Sequence, residues 1–190
     1  MIGKMADVII QLYSYYLQDV GSMIDCIEFS SDHGMQDRLL VSPDIYRKFF
    51  KEPYTRVFRE IKKIAPKAKI FLHSCGSVRA LIPDFIEMGV DILNSLQPKA
   101  VGMDSFELKK EFGDEIVFHG GLDLQGGITG TKEGTISEAK KRIDAFGPGG
   151  GFIFSPSNHF MEDVSIENFY ALFETARNYG RYPLENSLEK

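Results

Sequence analysis

KIFLHSCGSVR, residues 69–79, sets a short apolar run against His73-Ser74-Cys75-Gly76, and a helical pattern begins directly after it. An apolar run of this length, closed by a glycine turn and a helix, reads as one unit of a parallel α/β sheet. If the chain stays extended for two residues past the run, the period of two sends His73 and Cys75 to the same side. An imidazole and a thiol then meet at one strand end. That pairing suits a soft divalent metal, above all zinc, whose preferred ligands are thiolate and neutral imidazole. Two ligands do not close a site, so a third must come from elsewhere in the chain. The competing reading is a half-buried Cys75 beside a helix-capping Ser and a hydrogen-bonded His73.

The same unit recurs on both sides. Met1 to Gly21 reads as a helix with Met5, Val8, Ile9, Leu12, Tyr16 and Val20 on one face, and Asp25 to Ser30 as a strand. Ser42-Pro43-Asp44 is an N-cap, a proline at the first helical position and a first-turn acid, opening a long helix to about Ala65 that Pro53 kinks. Ser77 is placed to cap a helix ending at Gly89, followed by a strand over Asp91 to Asn94. Asp104 and Glu107 form a capping-box pattern for a short helix ending at Gly113. A strand over Glu115 to Phe118 follows, then a helix capped by Thr131 or Thr135 and reaching Phe146. The last unit is a strand over Phe152 to Phe154 and a helix from Ser165 to Tyr179, with a frayed tail after Gly180. One helix and then five strand–helix units predict a single domain over residues 1–190: a parallel sheet with right-handed crossovers.

Bulk properties narrow the function. The 190 residues suffice for one good core. A net charge of -5 argues against a nucleic-acid binder, which needs a basic face. Two cysteines, Cys26 and Cys75, imply no disulfide framework, so a reducing cytoplasm is the expectation. The apolar run from Ala6 to Leu17 is interrupted by Asp7, Gln11 and Ser14 and is too short to span a membrane.

The four histidines, His33, His73, His119 and His159, each fall at or just beyond the C-terminal end of a predicted strand, and the remaining strand supplies Asn94 and Gln97 there. In parallel barrels the loops after the strands form the active face. These residues are therefore candidates for substrate contact, although His33 and His119 could instead cap strand ends. Gly120 and Gly121 allow a ligand to approach the backbone or simply make a turn, and Asp32 and Asp123 are carboxylates without a neutralising sequence neighbour.

The segments FLHSCGSVRALIPDFIEMGVDILNSLQP, LKKEFGDEIVFHGGLD and GGGFIFSPSNHF, followed by IENFYAL, resemble the uroporphyrinogen decarboxylase superfamily from about Cys26 to Tyr179. The superfamily includes haem-pathway decarboxylases and zinc-dependent methyltransferases that pass methyl groups between corrinoids and thiols. The resemblance implies a TIM-barrel fold with its site at the C-terminal mouth. His-x-Cys-Gly resembles the methyltransferase branch and implies His73 and Cys75 as zinc ligands. The branch's third ligand, a cysteine after the last strand, falls at Asn158, so either His159 takes over or zinc binding is weak or lost. A histidine in this last loop also binds substrate in the decarboxylases. A TIM barrel takes eight units and on the order of 250 residues. Five strands therefore imply a partial barrel, as though the first three strands were absent: either a truncated product or fragment, or a chain that completes its barrel and hides its open edges by association.

The leading expectation is a zinc-dependent methyltransferase with His73, Cys75 and His159 as catalytic and metal residues. A corrinoid or corrinoid protein would be its methyl carrier and a small thiol its acceptor. Asp32, His33, Asn94, Gln97, His119, Gly120, Gly121, Asp123 and Asn158 are its substrate-binding candidates. The rivals are a metal-free decarboxylase in porphyrin biosynthesis, with His159 and the loop glycines gripping a tetrapyrrole, and a non-catalytic half-barrel that works by association, including with a second copy of itself.

Overall fold

In the computed structural model, which describes residues 1–184, the five strands form one parallel sheet in sequence order. They are β1 (Cys26–Ser30), β2 (Lys69–His73), β3 (Ile92–Asn94), β4 (Val117–Leu122) and β5 (Phe152–Pro156). The helices are α1 (Ile2–Val20), α2 (Pro43–Tyr46), α3 (Glu52–Ile64), α4 (Ile82–Met88), α5 (Ser105–Phe112), α6 (Lys132–Phe146) and α7 (Ile166–Tyr179). Among the described residues β1 and β5 are the edges, and no helix is long and apolar enough to cross a membrane.

Alternation along the strands divides the sheet. Ile27, Ile70, Leu72, Leu93 and Phe118 turn toward the helices and join Val57, Phe58, Ile61, Phe85, Leu108 and Phe146 in the main core. The opposite face carries Glu28, Ser30, Phe71, His73, Asn94 and His119 around a concavity. Register aligns this face in rows: Ser30 pairs with His73 and His73 with Asn94, while one step deeper Glu28 pairs with Phe71 and Phe71 with Ile92. The upper row is polar because it lies at the strands' C-terminal ends, where the loops begin.

Several local expectations hold. Ser42 accepts from the Ile45 amide, Asp104 from the Phe106 and Glu107 amides, Thr131 from Gly134 and Ser165 from Asn168. Gly89 ends α4 in the left-handed conformation. The bend anticipated at Pro53 takes the form of a π turn over Arg47–Lys51, which absorbs the break ahead of the proline.

Others are corrected. Ser77 caps no helix: its hydroxyl donates to the Val101 carbonyl, and a 3₁₀ turn over Arg79–Leu81 leads into α4, which has Pro83 at its start. β4 and β5 run past Phe118 and Phe154, because Gly120 and Gly121 remain paired with Phe154 and Ser155. The face assigned to α1 is wrong for most of its members. Ala6 and Leu17 are buried, with Ile9, Ile10 and Tyr13 partly so, while Met5, Val8, Leu12, Tyr16 and Val20 are exposed. The helix has apolar side chains on both flanks, and α3 covers only one. The expected frayed tail is anchored at its start by Tyr182, whose hydroxyl donates to the Gly147 carbonyl; residues 185–190 lie outside the described residues.

Candidate metal and substrate site

His73 ends β2 and Cys75 follows two residues on, and the loop between them is fixed from both sides. The Cys75 amide donates to Asp32 Oδ1 at 2.8 Å and the Gly76 amide to Gln97 Oε1 at 2.8 Å. Gly76 has φ of 82°, and a Cβ built on it would lie 2.5 Å from the Gly34 carbonyl carbon and 2.5 Å from the Met35 oxygen. The loops after β1 and β2 therefore cross backbone against backbone, which only glycine permits. This crossing delivers Asp32 to the strand end of its neighbour.

Three potential ligand atoms result. Cys75 Sγ lies 3.4 Å from His73 Nε2, and Asp32 Oδ1 lies 3.7 Å from the same nitrogen. The ligand atoms of Asp32, His73 and Cys75 all fall within 4.8 Å of one another. With bonds of about 2.0 to 2.3 Å, ligand atoms around a tetrahedral zinc stand roughly 3.3 to 3.6 Å apart, so the donor set fits that ion. His159 is not in this group. The loop crossing carries the Asp32 carboxylate into the group, whereas His159, the third ligand the sequence offered, lines this cavity and the adjoining one without joining the three.

Asn94 sets the state of His73. Its Nδ2 donates to the His119 backbone carbonyl at 3.0 Å and to His119 Nδ1 at 2.9 Å, which fixes the amide's orientation, since a carbonyl can only accept. Its Oδ1 therefore faces His73 Nδ1 at 2.5 Å and takes the proton there. His73 Nε2 is left with its lone pair toward Cys75, as a metal ligand requires. His119 in turn carries its proton on Nε2 when neutral. Burial lowers its pKa, against the opposing pull of its backbone hydrogen bond and of Glu28.

Around the sulfur, Ser95 Oγ lies at 3.7 Å and Asn158 Nδ2 at 3.6 Å, both donors. Burial pushes the Cys75 thiol up, the Ser95 contact works against this, and the Asp32 carboxylate adds to it. Without a cation the group stays protonated, and a bound metal reverses that. Asn158, at the position of the expected family cysteine, presents an amide N–H₂ with no lone pair to give, so it serves the sulfur as a donor instead. Its Oδ1 accepts from the His159 amide.

Four other candidates lie outside this group. His33 is 5% exposed and packs among Tyr46, Phe50, Tyr54 and Phe85, so it is a core residue whose backbone amide donates to Ser74. Burial lowers its pKa, and the neighbouring Asp32 only partly offsets this. Gly120 and Gly121 are buried, with φ of 108° and 87°; a Cβ on Gly120 would come within 2.5 Å of the Ser95 oxygen. A Cβ on Gly121 would meet the Phe146 ring at 3.0 Å. Asp123, without a neutralising neighbour in sequence, has one in space, Lys99 at 3.1 Å, and accepts from the Gln125 amide. Gln97 faces the metal loop through its bond to Gly76 and also lines a second, adjoining concavity with Asp123 and His159.

The concavity at these strand ends is about 540 Å³, lined by Glu28, Ser30, Phe71, His73, Asn94, His119, Asn158, His159 and an aromatic wall of Phe154, Phe160 and Phe173. Sequence reasoning missed Glu28 and Ser95. Counting back two residues from Ser30 places Glu28 on the His73 face, so period two alone could have found it. Nothing in the sequence marks Ser95.

The uroporphyrinogen decarboxylase (URO-D) family model matches residues 1–179. The chain belongs to the uroporphyrinogen decarboxylase family. The matched span takes in α1, ahead of the Cys26 start that the motifs suggested. Uroporphyrinogen decarboxylases from two strains of Rickettsia rickettsii, Sheila Smith and Iowa, are each 27% identical to it over 141 residues, 74% of this chain and 38% of theirs. The chain thus spans well under half the length of these relatives. Among solved structures, a methyltransferase from Methanosarcina mazei superposes with a TM-score of 0.65 at 18% identity, over 86% of this chain and 48% of that one. At that identity the likeness bears on the fold, and it makes the five-stranded sheet a partial barrel of TIM type.

Proposed function

We propose that this family member holds a thiol substrate at a divalent metal and passes it a methyl group from a corrinoid carrier. One observation carries the reading: an imidazole lone pair, a thiol and a carboxylate, from two adjacent strand ends, lie within 4.8 Å of one another at the mouth of the sheet. Zinc bound there supplies positive charge that holds both Cys75 and an incoming thiol as thiolates. The protein's own share is positional. Asn94 keeps the His73 lone pair turned outward, and the loop crossing at Gly34 and Gly76 fixes the spacing of Asp32 and Cys75. Ser95 and Asn158 donate toward the Cys75 sulfur, which disperses its charge once the proton is gone. Phe154, Phe160 and Phe173 form an apolar wall beside the site, where low polarity strengthens these interactions.

Metal analysis and zinc competition test the reading. One equivalent of zinc is expected, with affinity falling in Asp32→Ala and Cys75→Ser and unchanged in His159→Ala. Stoichiometry near zero, unaffected by Cys75→Ser, removes the proposal; loss of zinc in His159→Ala with none in Asp32→Ala returns the third ligand to His159.

A second reading, decarboxylation of a tetrapyrrole, is favoured by the names of the 27% identical relatives. It expects tetrapyrrole binding indifferent to chelators and tolerance of Cys75→Ala. The glycines it would use to grip carboxylates are buried, and the Gly121 amide already donates to the Ser95 carbonyl.

A further inference from the structure

We infer that the thiol taken by this site carries a positively charged amino group, bound by Glu28. This rests on the metal–thiol reading above and goes on to name the substrate's charge. Cys75 and Asp32 together bring two negative charges to a divalent ion, so a bound thiolate adds a charge that nothing at the metal balances. Among the described residues the cavity lining holds no lysine or arginine as a fixed positive charge, and its one carboxylate, Glu28, makes no ion pair. An anionic thiol would meet repulsion, whereas an ammonium group would meet a carboxylate and aromatic faces.

Register places the carboxylate at a usable depth. Ser30 pairs with His73 and Glu28 with Phe71, so Glu28 stands one row below the metal ligands. Two residues along a strand span about 6 to 7 Å, a gap that a spacer of roughly two or three carbons bridges with the glutamate side chain reaching in. Phe71, also in that row, and Phe154 and Phe160 on the wall supply rings toward which a cation is drawn.

The test uses the chain loaded with cobalt(II), whose visible spectrum reports thiolate binding without any turnover. Titration with 2-aminoethanethiol, 2-mercaptoethanol and 3-mercaptopropionate compares a cationic, a neutral and an anionic thiol. Glu28 is exposed at the cavity's open side, so the aminothiol is expected to bind about two- to fivefold tighter than the neutral thiol, the size of one exposed charge contact, and the anionic thiol weakest. Glu28→Gln should erase the aminothiol's margin and leave 2-mercaptoethanol unmoved. Equal affinities, preference for the anionic thiol, or a margin that survives Glu28→Gln overturns the inference while leaving the metal–thiol reading intact. Cobalt that binds but whose spectrum no thiol changes overturns both.

Discussion

Asn94 stands between two imidazoles, and its amide orientation decides which nitrogen of His73 is free for a metal. Replacing it by alanine removes the proton acceptor at Nδ1 and lets the ring turn or change tautomer. Zinc affinity of Asn94→Ala, measured by chelator competition, is expected to fall roughly 10- to 100-fold, the range for loss of a group that orients a metal-bound histidine. The circular dichroism spectrum should stay that of the parent. Gly76 is a residue of a different kind, constrained by backbone rather than by chemistry. Gly76→Ala places a methyl 2.5 Å from backbone atoms of Gly34 and Met35 at φ of 82°. Gly89→Ala, at φ of 92° with nothing within 4 Å, carries the conformational cost alone. Urea denaturation should therefore show a loss of about 1–2 kcal/mol for Gly89→Ala and clearly more for Gly76→Ala.

At the scale of elements, the π turn between α2 and α3 has a partner in α4. It brings Arg47 and Lys51 together onto Asp84, whose side chain is 3% exposed and which accepts from Arg47 at 3.0 and 3.1 Å and from Lys51 at 2.7 Å. Burial alone would raise the Asp84 carboxyl, but the hydrogen bonds and charges of Arg47 and Lys51 outweigh it and hold the group below the usual carboxylate range. A carboxyl whose folded pKa lies below its unfolded one contributes stability above the unfolded pKa and loses it as pH falls through the folded value. The melting temperature should thus drop as the solution is acidified below the ordinary carboxylate pKa. Asp84→Asn should melt lower near neutrality and show a shallower acid slope, measured by scanning calorimetry from pH 7 downward. Parallel slopes in the two proteins would mean that other carboxyls carry the acid response.

Taken whole, the described residues present two edge strands and two apolar flanks. β1 and β5 end the sheet. α1 beside one exposes Met5, Val8, Leu12, Tyr15 and Tyr16, and α7 beside the other exposes Ile166, Phe169, Tyr170 and Phe173. Contiguous apolar surface next to unpaired strand edges favours association. Sedimentation velocity on the 190-residue chain is expected to show concentration-dependent assembly, and Leu12→Lys with Tyr16→Lys should shift it toward monomer without changing helix content. A chain that stays monomeric at all concentrations removes the expectation that a second chain covers these flanks.

Much of this architecture follows from local rules that a sequence carries openly. Alternating apolar runs and amphipathic segments specify parallel strand–helix units, and Ser42, Asp104 and Ser165 mark helix starts because their side chains satisfy nearby amides whatever lies beyond. The His73 and Cys75 pairing was legible for the same reason, since period two acts within one strand end. Which residue completes that pair was not. Asp32 reaches it through a contact between two glycines 42 positions apart, and no periodicity encodes such a crossing. His33 obeys the same strand-end pattern as His73 yet turns into the aromatic core, and Met5 and Leu12 look as buriable as Ala6 and Leu17 until α3 covers one flank of α1 and not the other. The sequence by itself determined the elements, their order and the polar rim. Only the tertiary structure decided which rim residues face one another, because that depends on distances between chain segments, and those are set by packing rather than by any segment's own pattern.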